Sequence, residues 1–209
     1  MIAPPERSAE RDAAVEAMLA HVPFDGWTKR ALRQGLADIG MPADEAEFLF
    51  PGGAMDMIET FCDLADRRME AAAADLSETK LSARVRAVIA LRLEQNQPHR
   101  EAIRRALSAL AMPGRGRVAA ACTARTVDAI WHAAGDRSAD FSWYTKRAIL
   151  TAVYGTTLLF WLNDSSDNQS ATLAFIDRRL AGVGRIGKLR ARAESMVGRL
   201  RPTLQGGAT

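Results

Sequence analysis

Gly53-Ala-Met-Asp-Met-Ile-Glu-Thr-Phe-Cys-Asp-Leu-Ala-Asp-Arg-Arg-Met-Glu-Ala-Ala-Ala-Ala-Asp-Leu76 carries the cleanest periodicity in the chain. Met55, Ile58, Cys62, Ala65, Met69, Ala72 and Leu76 alternate spacings of three and four, which puts them on one face of a long helix. Pro51-Gly-Gly53 makes a sharp break before it. Upstream, the pattern predicts three shorter helices. Glu6 to Val22 has Val15, Met18, Leu19 and Val22 on one face, and Pro23 to Gly26 reads as a turn. Trp27 to Ile39 points Leu32, Leu36 and Ile39 inward and Lys29, Arg30 and Arg33 outward. Ala43 to Leu49 is the short third helix, separated from the second by Gly40-Met-Pro42.

Downstream the periodicity stays helical. Lys80 to Asn96 turns Leu81, Val85, Val88, Ile89 and Leu93 inward, and His99 to Ala111 does the same with Ile103, Leu107 and Leu110. Val118 to Ala134 carries Ala120, Ala124, Val127, Trp131 and Ala134 on one stripe. Its small residues let a neighbouring helix approach or a ligand lie against it. Asp140 can cap the next helix by accepting from its unpaired first-turn N–H groups. From Ile149 to Leu162 that helix is nearly all apolar, short of the ~20 residues of a membrane span. It is therefore expected to be the central core helix, buried on every side. A polar loop, Asn163 to Asn168, separates it from a helix over Ser170 to Leu180. Gly182, Gly184 and Gly187 suggest a hinge before a short basic segment, Lys188 to Arg201, ended by Pro202.

Composition agrees with an all-α fold. Ala, Leu and Arg are abundant, β-branched residues are sparse, and 209 residues suffice for a real core. Cys62 and Cys122 each sit on an apolar helical stripe and read as small core residues, not as a disulfide or metal pair. The amino terminus lacks the pattern of a signal peptide, which predicts a cytoplasmic protein. The net charge is +3, but residues 177–201 hold eight Lys/Arg and two acids, so the basic character belongs to the tail. His21, His99 and His132 are far apart and form no metal-binding pair. The three tail glycines lack the strand–turn–helix setting of a nucleotide loop. No catalytic residues are assigned, and no cofactor or metal is expected. The residue types point to a binding module.

Three short helices followed by a long one resemble the layout of helix-turn-helix regulators of the TetR type. The third helix would then be the recognition helix. It carries Asp44, Glu45 and Glu47, and no Lys or Arg lies between Gly40 and Asp66. A duplex would repel such a helix, since recognition needs cations for phosphates and side chains that pair with base edges. A retained architecture without operator binding is the expectation. A ligand-responsive DNA-binding regulator is the alternative.

From Asp128 the chain reads Asp-Ala-Ile-Trp-His-Ala-Ala-Gly-Asp-Arg-Ser-Ala-Asp-Phe-Ser-Trp-Tyr-Thr-Lys-Arg147, then Ala148-Ile-Leu-Thr-Ala-Val-Tyr-Gly-Thr-Thr157. The Trp-His-x-x-Gly-Asp and Asp-Phe-x-Trp-Tyr-Thr-Lys-Arg blocks closely resemble the ubiquinone-biosynthesis accessory protein family, that of the ninth Coq protein. The resemblance extends more weakly from about Val15 to Ile186. It implies a TetR-like, dimeric, non-enzymatic protein that binds an isoprenoid quinone-like lipid in its C-terminal helices. Such proteins assist the di-iron hydroxylase acting on demethoxyubiquinone at a membrane surface, here the inner membrane. By the same resemblance, the partner patch falls on Ile130, Asp140, Trp143 and Tyr144, with Lys146 and Arg147 beside them.

The expected lipid slot lies between Ala120, Ala124, Val127 and Trp131 on one helix and Ala152, Thr156, Leu159 and Phe160 on the next. Arg185, Lys188, Leu189, Arg190 and Arg192 are the expected contacts with anionic membrane, weak because the apolar residues around them are few. The chain divides, on this reading, into a helix-turn-helix-like part (1–52), a lipid-binding bundle (53–187) and a basic amphipathic tail (188–209).

Overall fold

The computed structural model describes residues 3–78, 80–136 and 142–182. These residues form helices α1 (Ala9–Met18), α2 (Val22–Asp25), α3 (Lys29–Asp38), α4 (Glu45–Leu49) and α5 (Ala54–Ala73). They continue with α6 (Leu81–Gln95), α7 (Arg100–Leu110), α8 (Gly116–Ala133), α9 (Ser142–Trp161) and a further helix, α10, over residues 170–182.

Local signals set the helix starts. Ser8 Oγ accepts from Arg11 N at 3.1 Å and caps α1, and Thr28 Oγ1 accepts from Ala31 N at 3.3 Å and caps α3. The stretch expected as a turn, Pro23 to Gly26, is instead mostly the one-turn helix α2. Pro23 sits in its first turn, where the missing N–H costs nothing, and Gly26 ends it at φ +70°.

The first core gathers Val15, Met18 and Val22, Leu32 and Leu36 of α3, Met57 and Ile58 of α5, and Ala102 and Ala106 of α7. α1 and α3 cross in direct contact, because a Cβ on Gly35 would stand 2.5 Å from the Met18 nitrogen. Arg11 is buried and braces α1 against α5, donating from Nη2 to Thr60 Oγ1 at 2.9 Å and pairing with Asp56. Trp27 donates from Nε1 to the Ala102 carbonyl at 2.9 Å, which ties this unit to α7. Ile39, expected inward, is 43% exposed because α3 ends at Asp38.

The second core joins Met69 and Ala73 of α5 to α6, α8, α9 and Ile176 of α10. α5 therefore runs through both cores, with ten buried residues from Met57 to Ala73. It, and not α9, is the central helix. α9 buries Leu150, Val153, Tyr154, Thr157 and Trp161 but leaves a second apolar face outside. On that face Ile149 is 37% exposed, Leu159 58% and Phe160 36%, with Ala152 and Thr156 beside them. A helix apolar all round satisfies only one face against its own chain here. Phe160 stacks on Phe175 of α10 at 4.5 Å between centroids.

Candidate functional site

A cavity of about 280 Å³ opens between α5, α6, α7, α8 and α9. α7 contributes Ile103, Ala106, Leu107 and Leu110, and α9 contributes Tyr154, Leu158 and Trp161. The wall on α8 is Ala119, Cys122, Thr123 and Thr126, all small, and that is why room remains between helices that otherwise pack closely. Phe61 and Cys62 of α5 and Arg92, Leu93 and Asn96 of α6 complete it. At the α7–α8 end, Ala111 is exposed and Leu110 and Ala119 are half-buried. At the other end, Arg92, Thr126 and Tyr154 are buried. The seven-residue rise from Ala119 to Thr126 separates the two ends by roughly 10 Å.

The inner end is polar. Arg92 Nη1 pairs with Asp66 Oδ1 at 2.6 Å, with side chains only 7% and 8% exposed. Arg92 Nε donates to Tyr154 Oη at 2.9 Å, and Thr126 Oγ1 donates to Asp66 Oδ2 at 3.0 Å. Asn96 Nδ2 donates to the Arg92 carbonyl at 2.7 Å. Burial pushes the Asp66 carboxyl up to about 6, against the pull of Arg92 and Thr126. Burial also works against the Arg92 charge, but Asp66 and Tyr154 outweigh it and hold the guanidinium above its ordinary value. Burial raises the Tyr154 phenol. A hydrogen bond with Cys122 and burial keep Cys62 a thiol. The arrangement suits a ligand with an apolar body and a polar end.

A second hollow, about 520 Å³, lies across α5 and α8 and is lined by Arg7, Asp63, Asp66, Arg67, Glu70, Arg125, Asp128, His132 and Arg147. Its arginines are paired with carboxylates in or beside its walls. Arg7 meets Asp63 at 2.7 Å, Arg67 meets Asp12 at 2.7 Å, Arg125 meets Glu59 at 2.9 Å, and Arg147 meets Asp128. Such a surface has little charge left to offer a ligand.

None of the eight residues expected to form the lipid slot lines the apolar cavity. Ala120 is exposed, Ala124 half-buried, and Val127 and Trp131 belong to the second core. Ala152, Thr156, Leu159 and Phe160 face outward. α8 and α9 both wall the cavity, but each turns a neighbouring stripe toward it. The displacement is one residue on α8, or about 100° of helix rotation.

The expected partner patch divides. Ile130 is 0% exposed, in the second core, and cannot be a docking contact while the fold is intact. Tyr144 is 73% exposed. Lys146 Nζ lies 3.3 Å from Asp136 and 5.9 Å from the Trp131 ring centroid, and Arg147 pairs with Asp128. Asp140 and the side chain of Trp143 lie outside the described residues, as do Arg185, Lys188, Leu189, Arg190 and Arg192. Sequence reading missed the Asp66–Arg92–Thr126–Tyr154 cluster. Its signal was present: Arg92 lies three and four residues from the inward Ile89 and Val88, and Asp66 lies four from Cys62.

On the short helix α4, Glu47 pairs with Lys29 and, at 3.0 Å, with Arg33 of α3. Two of the three outward cations of α3, Lys29 and Arg33, are therefore engaged by the acidic helix itself, while Arg30 pairs with Asp25. Phe48 stands 82% exposed beside them.

A family model described as COQ9 matches residues 117–187. The mitochondrial ubiquinone biosynthesis protein coq9 of Schizosaccharomyces pombe is 32% identical over 184 residues, covering 88% of this chain and 73% of that protein. The mitochondrial COQ9-A of Xenopus laevis is 33% identical over 175 residues, covering 80% of this chain and 55% of that protein. Human COQ9 is 31% identical over 172 residues, with 78% and 54% covered. The chain thus spans a little over half the length of these vertebrate relatives. Among solved structures, a TetR transcriptional regulator from Nitrosomonas europaea superposes with a TM-score of 0.66 at 23% identity, covering 83% of this chain and 97% of the other. That likeness establishes the TetR-like all-α fold. Among the described residues, no helix is long and apolar enough to cross a membrane.

Proposed function

We propose, from the premise that this chain belongs to the COQ9 family, that it is a non-enzymatic accessory protein of ubiquinone biosynthesis that holds an isoprenoid quinone-type lipid between α7, α8 and α9. The relatives are named for ubiquinone biosynthesis, which supports the pathway. The observation that carries the lipid reading is the apolar cavity with one exposed and one buried, polar end. At about 280 Å³ it is close to the lower limit of ~300 Å³ for small-molecule sites, so a long prenyl tail would extend past the mouth. The lipid would be presented to the demethoxyubiquinone hydroxylase across the surface that includes Tyr144, Lys146 and Arg147.

Homodimerisation is part of the proposal. The outer face of α9, with Ile149, Ala152, Thr156, Leu159 and Phe160, is an apolar stripe of the kind that a second copy covers. The basic tail would add a weak, salt-sensitive attraction to anionic membrane. Operator binding is disfavoured by the Glu47 pairs with Lys29 and Arg33.

Native mass spectrometry of the purified protein tests the central claim. A co-purified prenyl lipid, or uptake of a short-chain quinone by delipidated protein, is expected. Clean protein that takes up no quinone at micromolar concentration would overturn it.

A further inference from the structure

The buried end of the cavity holds guanidinium donors that the chain leaves without a hydrogen-bond acceptor. A guanidinium has five N–H groups. Arg92 donates from Nε to Tyr154 at 2.9 Å and, more loosely, from Nη2 to Thr126 at 3.4 Å, while Nη1 stands 2.6 Å from Asp66 Oδ1 as an ion pair without hydrogen-bond geometry. Each Nη nitrogen thereby keeps at least one N–H without an acceptor, at a site where the Arg92 side chain is only 7% exposed. Buried donors of this kind favour an acceptor. The charge of Arg92 is already balanced, because Asp66 is predominantly ionised at neutral pH with its carboxyl held near 6 by burial.

We infer that the Arg92–Asp66–Thr126–Tyr154 cluster is a head-group subsite that selects uncharged, oxygen-bearing heads, such as a quinone ring, over carboxylate heads on the same tail. This rests on the lipid-binding reading above. An uncharged carbonyl or methoxy oxygen accepts from the spare Nη donors and leaves the ion pair intact. A carboxylate at the same point loses its hydration on burial, at a cost of several kcal/mol, and Arg92, whose charge Asp66 already balances, repays only part of that cost. The net preference expected is about tenfold or more for the uncharged head. Tyr154 and Asn96 line the same end, and the tail points toward Ala119 and Ala111.

The test uses the delipidated full chain at pH 7.5 and three probes with alkyl tails of ten to twelve carbons, the shortest on the quinone: decylubiquinone, dodecanoate and dodecylbenzene. The expected order of affinity is quinone first, with hydrocarbon and acid at least tenfold weaker. This comparison needs no variant. Asp66→Asn keeps the shape and frees the Arg92 charge for an anion, and is expected to raise the ratio of dodecanoate to quinone affinity at least tenfold. The double change Asp66→Asn with Arg92→Met removes the donors without orphaning a charge, and is expected to bring quinone down to the hydrocarbon level. Equal affinity for quinone and dodecylbenzene in the wild-type protein would overturn the subsite while leaving the lipid cavity standing. Preference for dodecanoate would do the same. Failure of all three probes would overturn the cavity reading and the subsite with it.

Discussion

Ile130 and Tyr144 both belong to the stretch that resembles a partner patch, yet the structure gives them opposite duties. Ile130 is 0% exposed, in the second core, and Tyr144 is 73% exposed on the first turns of α9. Ile130→Ala removes three buried carbons from between α8 and its neighbours. Such a truncation costs about 2–5 kcal/mol, including the cavity left behind. For a domain of this size each kcal/mol lowers Tm by roughly 2–4 °C, so a fall of about 10 °C is expected. Tyr144→Ala removes little buried surface and should cost about 1 kcal/mol or less, or about 3 °C. If Tyr144 anchors the hydroxylase, its loss weakens binding by 2 kcal/mol or more, about thirtyfold. Thermal melts of both variants, with calorimetric titration against the hydroxylase and affinity expressed per folded molecule, separate the two. Ile130→Ala should bind normally once folded, and Tyr144→Ala should melt normally and bind poorly. An Ile130→Ala protein with an unchanged Tm and lost binding would refute the placement of this side chain. A Tyr144→Ala protein that binds like wild type would refute the docking surface.

Arg92→Met strands Asp66 in the interior and should destabilise by about 3–5 kcal/mol, while adding Asp66→Asn should recover much of that loss, since no uncompensated buried charge then remains. Urea denaturation of the single and double variants reads this, and an additive pair of losses would show that the two groups do not couple. Asp66 also makes stability depend on pH. Its carboxyl is raised to about 6 when folded, from about 4 when unfolded. Its contribution is therefore full below about pH 4 and is lost as pH rises through 6, by roughly 3 kcal/mol in all. Asp164 acts in the opposite sense at lower pH, because hydrogen bonds from Ser166 and Thr172 outweigh burial and hold it down to about 2. The difference in unfolding free energy between wild type and Asp66→Asn isolates the first effect, and a pH-independent difference from 4 to 7 would contradict it. Duplex DNA binding should be negligible at physiological salt, because α4 is acidic and Glu47 occupies Lys29 and Arg33. Sequence-specific retention in a gel-shift assay that survives deletion of residues 188–209 would overturn that expectation.

Most of the helices were legible because their signals are local. The three–four spacing of Ile58, Cys62, Ala65 and Met69 needs no tertiary partner to define a helix. Nor do the caps at Ser8 and Thr28, which bond within three residues of themselves. The one missed element, α2, is also local, with Pro23 and Gly26 at its two ends. The acidic character of α4 was visible in Asp44, Glu45 and Glu47. That Glu47 pairs with Lys29 and Arg33 of α3 required the two helices to be placed side by side.

The cavity depended on packing. α8 carries small residues on two adjacent stripes, Ala120–Ala124–Val127 and Ala119–Cys122–Thr123–Thr126. No property of the isolated helix distinguishes them. The positions of α5 and α7 turn the second stripe to the cavity. α9 shows the same indeterminacy, since a helix apolar on every side has no polar face to tell it which way to turn. Its inner face was selected by where Leu150, Tyr154 and Trp161 meet α6 and α8, and the opposite face remained for another surface. Arg92 and Asp66 are 26 positions apart on different helices. Each alone would be an unpaired buried charge, and only their 2.6 Å contact across α5 and α6 makes either one tolerable inside the molecule. Periodicity and capping act over a few residues and are written in the chain. Which face is buried, and which charge meets which, is a property of helices already packed.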